Sequence, residues 1–249
     1  MCTVIVLRRP HHPWPLLLAA NRDERLDRPW DPPAAWWPES PGLIGGRDRT
    51  AGGTWMALGP GGVVAAVLNR PGSLGPEAGK RSRGELPLVA AAAPTAAAGA
   101  ARIAALPAER WRPFNMVIAD HRDAFFLRGL GQGHPETRPL PEGLSMVTAH
   151  DPNDPASPRT RRHLPRFRAA PPPEPDAGDW SSWQALLADS GHGPEFGLAE
   201  TLNVPPSGGF GTVCASLMAL APGRAPVWLF CPAPPGQGAF APLASPLAA

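Results

Sequence analysis

With 249 residues the chain is long enough to bury a substantial core, and no shift in composition demands a boundary, so a single domain over 1–249 is expected. Its 23 basic and 21 acidic residues leave a formal net charge of +2, too weak a field for nucleic acid or an anionic membrane, and no apolar run approaches membrane-spanning length. Three cysteines, Cys2, Cys214 and Cys231, form an odd set without metal-like spacing, and the N-terminus lacks a signal-peptide core. A soluble protein of a reducing cytoplasm is expected.

In chain order, Thr3 to Leu7 reads as a strand, Arg9-Pro10-His11-His12-Pro13 as a turn, and Leu16 to Ala20 as the return strand. Adjacent histidines with no carboxylate or cysteine nearby make a polar turn rather than a metal site. Pairing Leu7 with Leu16 or Leu17 brings Cys2 opposite Asn21 or Arg22. Removal of Met1 would leave thiol and α-amine on Cys2. An amine of reference pKa about 7.7–8.0 can then take the proton of a thiol near 8.5. In Asn21-Arg22-Asp23-Glu24, Arg22 would favour the thiolate, Asp23 would hold the α-ammonium or orient the amine, and Glu24 would pair with Arg22 or Arg25. The plainer alternative is a buried small residue at Cys2 and a solvated charged turn after the strand.

Thr54 to Leu58, a turn at Gly59-Pro60-Gly61-Gly62, and Val63 to Leu68 form a second hairpin whose apolar return strand suits burial on both faces. It stops at Asn69, either an oxyanion donor or a turn former. Gly75 to Lys80 has the wrong glycine spacing for a phosphate loop. Gly84 to Leu106 is alanine-rich and split by Pro94 into two helices. Phe114 to Ala119 with Ala124 to Leu127 forms a hairpin, and Leu144 to Ala149 a strand leading to His150. Arg159 to Arg168, broken by His163, Leu164 and Pro165, reads as a solvated helix or loop. After a proline linker at 171–175, a helix capped by Asp179 runs to Ala188, and Thr212 to Ala221 with Pro226 to Cys231 closes the set. From about residue 232 a Pro/Ala-rich tail follows.

Met1-Cys2, Leu18-Ala19-Ala20-Asn21-Arg22-Asp23-Glu24, Ala51-Gly52-Gly53-Thr54-Trp55, Asn69, Ser82-Arg83-Gly84-Glu85-Leu86 and Pro113-Phe114-Asn115 occur in one order. Together they resemble the NRDE-motif family, whose animal members are called transport and Golgi organisation proteins. The resemblance implies an α+β fold of the N-terminal nucleophile hydrolase type, a four-layer αββα sandwich of two antiparallel sheets between helical layers. Val64 to Asn69 is also similar to the strand and oxyanion asparagine of conjugated bile acid hydrolases and penicillin V acylases, whose cysteine and aspartate would correspond to Cys2 and Asp23. Two departures stand out. Val213 follows Gly211-Thr212 where many relatives carry an arginine, and His150 replaces an amide that helps to position substrate. His150 either donates a hydrogen bond from its imidazole, carries a proton, or caps a turn with Asp151 and Pro152.

These residues imply a cysteine N-terminal nucleophile amidohydrolase or acyltransferase acting on non-peptide amide bonds. Cys2, Arg22, Asp23 and Asn69 form its catalytic set, Asn21 and His150 lie at the substrate, and no cofactor or metal is required. The competing expectation is a non-enzymatic intracellular carrier or chaperone of haem, acyl-CoA or lipid. Either way the partner is a small amide, acyl or haem-like molecule, with neither nucleic acid nor stable membrane insertion involved. The sequence carries no signal of oligomeric state.

Overall fold

A computed structural model describes residues 2–243. Its first elements are β1 (Thr3–Arg8), β2 (Leu16–Arg25), β3 (Trp30–Ala34), β4 (Ile44–Asp48), β5 (Met56–Leu58) and β6 (Val64–Asn69). Next come α1 (Leu86–Ala91), α2 (Ala96–Ala104), β7 (Phe114–Ala119), β8 (Ala124–Gly129), β9 (Glu136–Pro139) and β10 (Gly143–Val147). The last are α3 (Pro158–Ala169), α4 (Ser181–Leu187), β11 (Phe210–Leu220), β12 (Val227–Cys231) and β13 (Ala241–Pro242). They fall into two compact units, one made of the segment up to Asp27 together with the chain from Glu142, the other of Arg28–Pro141.

The first unit is an antiparallel sheet in the order β10-β1-β2-β11-β12-β13. Leu7 pairs with Leu17 and Thr3 with Asn21, the register that the two apolar runs require. β2 is longer than the apolar pattern suggests. It continues to Arg25 because β11 pairs along its whole length, from Leu220 opposite Leu16 to Phe210 opposite Arg25. The Asn21-Arg22-Asp23-Glu24 cluster therefore lies within a strand, and its side chains alternate between the two faces of the sheet. A bulge between Thr212 and Cys214 makes Val213 the extra residue of β11.

α3 and α4 cover one face of this sheet, where Leu164, Phe167, Trp183 and Leu187 pack with Ile5, Leu17, Ala19 and Leu217. The rings of Phe167 and Trp183 meet edge to face with centroids 5.6 Å apart. The basic stretch expected to be solvated is instead amphipathic. Ser157 caps α3 by accepting the Thr160 N–H, Pro158 opens it, and Arg159, His163, Leu164 and Phe167 are buried while Arg161, Arg166 and Arg168 are exposed. α4 starts at Ser181, whose N–H donates to the Asp179 carboxylate at 3.0 Å. Of the tail from about 232, Ala241–Pro242 forms β13 against β12, and residues 244–249 lie outside the described residues.

The second unit is an antiparallel sheet in the order β3-β4-β5-β6-β7-β8-β9. α1 and α2, separated around Pro94 as expected, pack Leu86, Ala90, Ala100 and Ile103 on Ala65, Met116, Ile118 and Leu127. β3 was not expected, because Pro32 and Pro33 remove two ladder donors. It is tolerated as an edge strand with an irregular register between Asp31 and Ala34. Among the described residues no helix is long and apolar enough to cross a membrane.

Candidate active site

Continuing the β1–β2 register by one residue sets Cys2 opposite Arg22. Its thiol donates to the main-chain carbonyl of Asp23 at 3.5 Å. Pleat alternation puts Arg22 and Cys2 on the sheet face opposite Thr3, Asn21 and Asp23. Arg22 is buried, and its Nη2 lies 3.6 Å from Glu24 Oε2, the pairing expected for Glu24. Cys214 is paired with Arg22 across β2 and β11.

The thiol of Cys2 is held above the ordinary cysteine range, first by burial and then by the Asp23 carboxylate. The chain's N-terminal charge, the hydrogen bond to the Asp23 carbonyl and Arg22 act in the opposite direction. Arg22 thus favours the thiolate, as its place in the sequence suggests, but desolvation outweighs it. Met1, whose removal the expected chemistry requires, lies outside the described residues.

Asp23 occupies the helix-covered face and both its oxygens are engaged. Oδ1 accepts the Thr212 hydroxyl at 2.6 Å, and Oδ2 accepts Arg159 Nη1 at 2.9 Å. The same Nη1 donates to Thr3 Oγ1 at 2.9 Å, and the Thr212 hydroxyl oxygen accepts the Val204 N–H at 2.8 Å. Carboxylate and guanidinium are almost wholly buried, at 0% and 6% side-chain exposure. The cation beside Asp23 therefore comes from α3, while Val213 occupies the bulge on β11. Arg159, Thr212 and Thr3 went unrecognised in the sequence. The available signal was the Ser157-Pro158 helix start, from which Arg159, His163 and Phe167 recur four residues apart along one face.

Asn21 was expected at the substrate. It is buried at 1% exposure with its amide group donating to the carbonyls of Leu187 and Leu202, at 3.0 and 2.9 Å, so it ties β2 to the end of α4. His150 lies in the turn after β10. Its N–H donates to Thr148 Oγ1, and its Nδ1 is 3.8 Å from Asp154 Oδ2, a partner that the sequence reading did not name.

In the second unit Asn69 closes β6 opposite Phe114, half-buried, and its side-chain amide makes no hydrogen bond among the described residues. The next strand-end contact is made by Arg70, which donates to Asn115 Oδ1 at 2.5 Å. Among the described residues no group of three or more His, Cys, Asp or Glu side chains gathers as metal ligands would.

Solved structures similar to this chain include two hydrolases. A Caenorhabditis elegans N-acylethanolamine-hydrolyzing acid amidase ortholog aligns with a TM-score of 0.56 at 12% identity, over 87% of this chain and 92% of its own. The C2A mutant of the conjugated bile acid hydrolase from Clostridium perfringens aligns with a TM-score of 0.50 at 11% identity, over 98% and 97%. At such identity the likeness establishes the fold, an α+β architecture of two antiparallel sheets with helices, as in N-terminal nucleophile hydrolases. No curated protein matches the chain. The model of the family Transport and Golgi organisation 2 matches residues 1–162, and the chain belongs to that family.

Proposed function

We propose that, with Met1 removed, this protein is a cysteine N-terminal nucleophile amidohydrolase or acyltransferase acting on non-peptide amide bonds. The observation that carries this reading is the placement of Cys2 at the start of β1, its thiol on the Asp23 carbonyl with Arg22 opposite. The amidohydrolase-like fold supports it. The α-amine of Cys2 accepts the thiol proton, and the thiolate attacks the amide carbon to give a tetrahedral oxyanion. Collapse of that oxyanion breaks the C–N bond, and the ammonium returns its proton to the leaving amine. Water, or an acceptor nucleophile in acyl transfer, then cleaves the thioester and regenerates the thiol. With Met1 removed, the ammonium formed by that proton transfer stands on Cys2 itself and stabilises the thiolate against the burial that raises its thiol.

Asn69 enters as the oxyanion donor on the strength of its strand-end position and its amide without a hydrogen bond among the described residues. His150 is the proposed substrate contact. The names of the two solved relatives, an N-acylethanolamine-hydrolyzing amidase and a conjugated bile acid hydrolase, set the substrates to try first. A carrier of haem, acyl-CoA or lipid is the second reading. It is favoured by the raised thiol and by the engagement of both Asp23 oxygens.

The deciding experiment measures turnover of N-acyl amides by processed protein. Cys2→Ala is expected to abolish turnover, and Asn69→Ala to lower kcat by about 10²–10³-fold with little change in KM. No turnover of the panel, together with equal binding of haem or acyl-CoA by wild type and Cys2→Ala, would replace the enzyme by the carrier.

A further inference from the structure

We infer that Arg159 is a positioning residue for the Cys2 site: one guanidinium nitrogen clamps Thr3 to Asp23, so that α3 fixes the peptide bearing the nucleophile and balances the anion behind it. The inference rests on the amidohydrolase reading for its turnover readout alone. Its basis is a chain of contacts within the first unit. Arg159 Nη1 reaches both Thr3 Oγ1 and Asp23 Oδ2 at 2.9 Å. Thr3 is joined covalently to Cys2, and Asp23 receives the Cys2 thiol on its own carbonyl. A movement of Arg159 is thus transmitted to both residues that border the nucleophile.

The charge argument points the same way. Burying a carboxylate at 0% exposure is costly unless a cation or several donors are at hand. Thr212 supplies one hydroxyl, and Arg159 supplies the positive charge. The charged and titratable groups around Cys2 and Asp23 are Arg22, Asp23 and Glu24 on β2, Cys214 on β11, Arg159 on α3 and the N-terminal charge. Among them Asp23 disfavours the thiolate. Without Arg159 that anion loses the guanidinium beside it, and thiolate formation at Cys2 requires a higher pH. A Thr3 freed from the clamp also loosens the start of β1.

The test compares Met1-free wild type, Arg159→Lys, Arg159→Met and Arg159→Met/Asp23→Asn. Folding is checked by thermal melting, and the pH midpoint of Cys2 labelling by iodoacetamide is read by mass spectrometry. Arg159→Met is expected to raise the midpoint by about one pH unit, a tenfold loss of thiolate at fixed pH. Arg159→Lys, which keeps the charge but not the forked reach, is expected to fall between it and wild type. The double variant, lacking both charges, is expected to return to the wild-type midpoint or below. On N-acyl amides the single Met variant should lose kcat rather than raise KM.

A folded Arg159→Met with the wild-type midpoint, or a double variant displaced upward with it, overturns the inference. If Arg159→Met does not fold, Arg159→Lys and the double variant decide. A raised midpoint in the first and a wild-type or lowered one in the second support the inference, and wild-type midpoints in both overturn it. Midpoints that move as described without turnover by any of the four proteins leave this inference standing and end the amidohydrolase reading. Turnover with unmoved midpoints does the reverse.

Discussion

Burial separates the three cysteines more sharply than sequence does. Desolvation raises all three thiols, but Cys214 is 1% exposed and Cys231 fully buried, whereas Cys2 is only partly buried and has Arg22 opposite. Iodoacetamide at neutral pH is therefore expected to label Cys2 before the other two, and Arg22→Ala to slow that labelling. Peptide mapping after timed quenching checks this, and equal labelling of all three would refute it. His163 makes a second prediction at this scale. It is wholly buried, its Nε2 donating to the Glu200 carbonyl at 2.8 Å and its Nδ1 facing Arg166 at 3.3 Å. Desolvation, aided by Arg166, lowers its pKa to about 4. An unfolded histidine takes up a proton near 6.5 while the folded one does not, so the unfolded state binds more protons between those values. Stability is then complete above about pH 6.5 and declines as pH falls toward 4, by at most about 3 kcal/mol. Urea midpoints at neutral pH and near pH 4.5 should differ more for wild type than for His163→Gln.

Strands written as apolar runs bounded by turn residues were legible, and elements held by distant partners were not. The β1–β2 register followed from two apolar runs, and the second hairpin and the paired helices around Pro94 followed from glycine and proline punctuation. The extension of β2 to Arg25 depends on pairing with β11, nearly two hundred residues on, which no local pattern announces. α3 was hidden by its arginines. Their number suggested solvent exposure, yet the residue at the start of the helix is buried against Asp23. Packing between elements also explains a glycine. A Cβ on Gly59, in the β5–β6 turn, would stand 1.8 Å from the main-chain oxygen of Ala91 at the end of α1. Backbone cannot yield as a flexible side chain can, so Gly59→Ala should separate that helix from its sheet and cost about 1–3 kcal/mol. The urea midpoint measures this, and an unchanged midpoint would show that α1 can shift freely.

Across the whole molecule, the fold was legible from a set of short motifs in fixed order, while the chemistry of the site depends on what encloses each group. Cys2, Arg22 and Asn69 stand where sequence reasoning expects polar groups at strand ends or in register, but the burial that raises the Cys2 thiol and the arginine that balances Asp23 emerge only from tertiary structure. Maturation connects the two levels, because a buried thiol lacking its own α-amine has no built-in base. Protein made in cells is expected to show an intact mass lowered by Met1 alone. An uncleavable N-terminal extension should abolish turnover with the melting temperature unchanged, since β1 begins at Thr3 and its pairing with β2 does not involve the added residues. Proteolytic removal of a cleavable extension, leaving Cys2 first, should restore turnover. Full activity in protein that retains Met1 would exclude the amine as base and transfer that role to another group near the thiol.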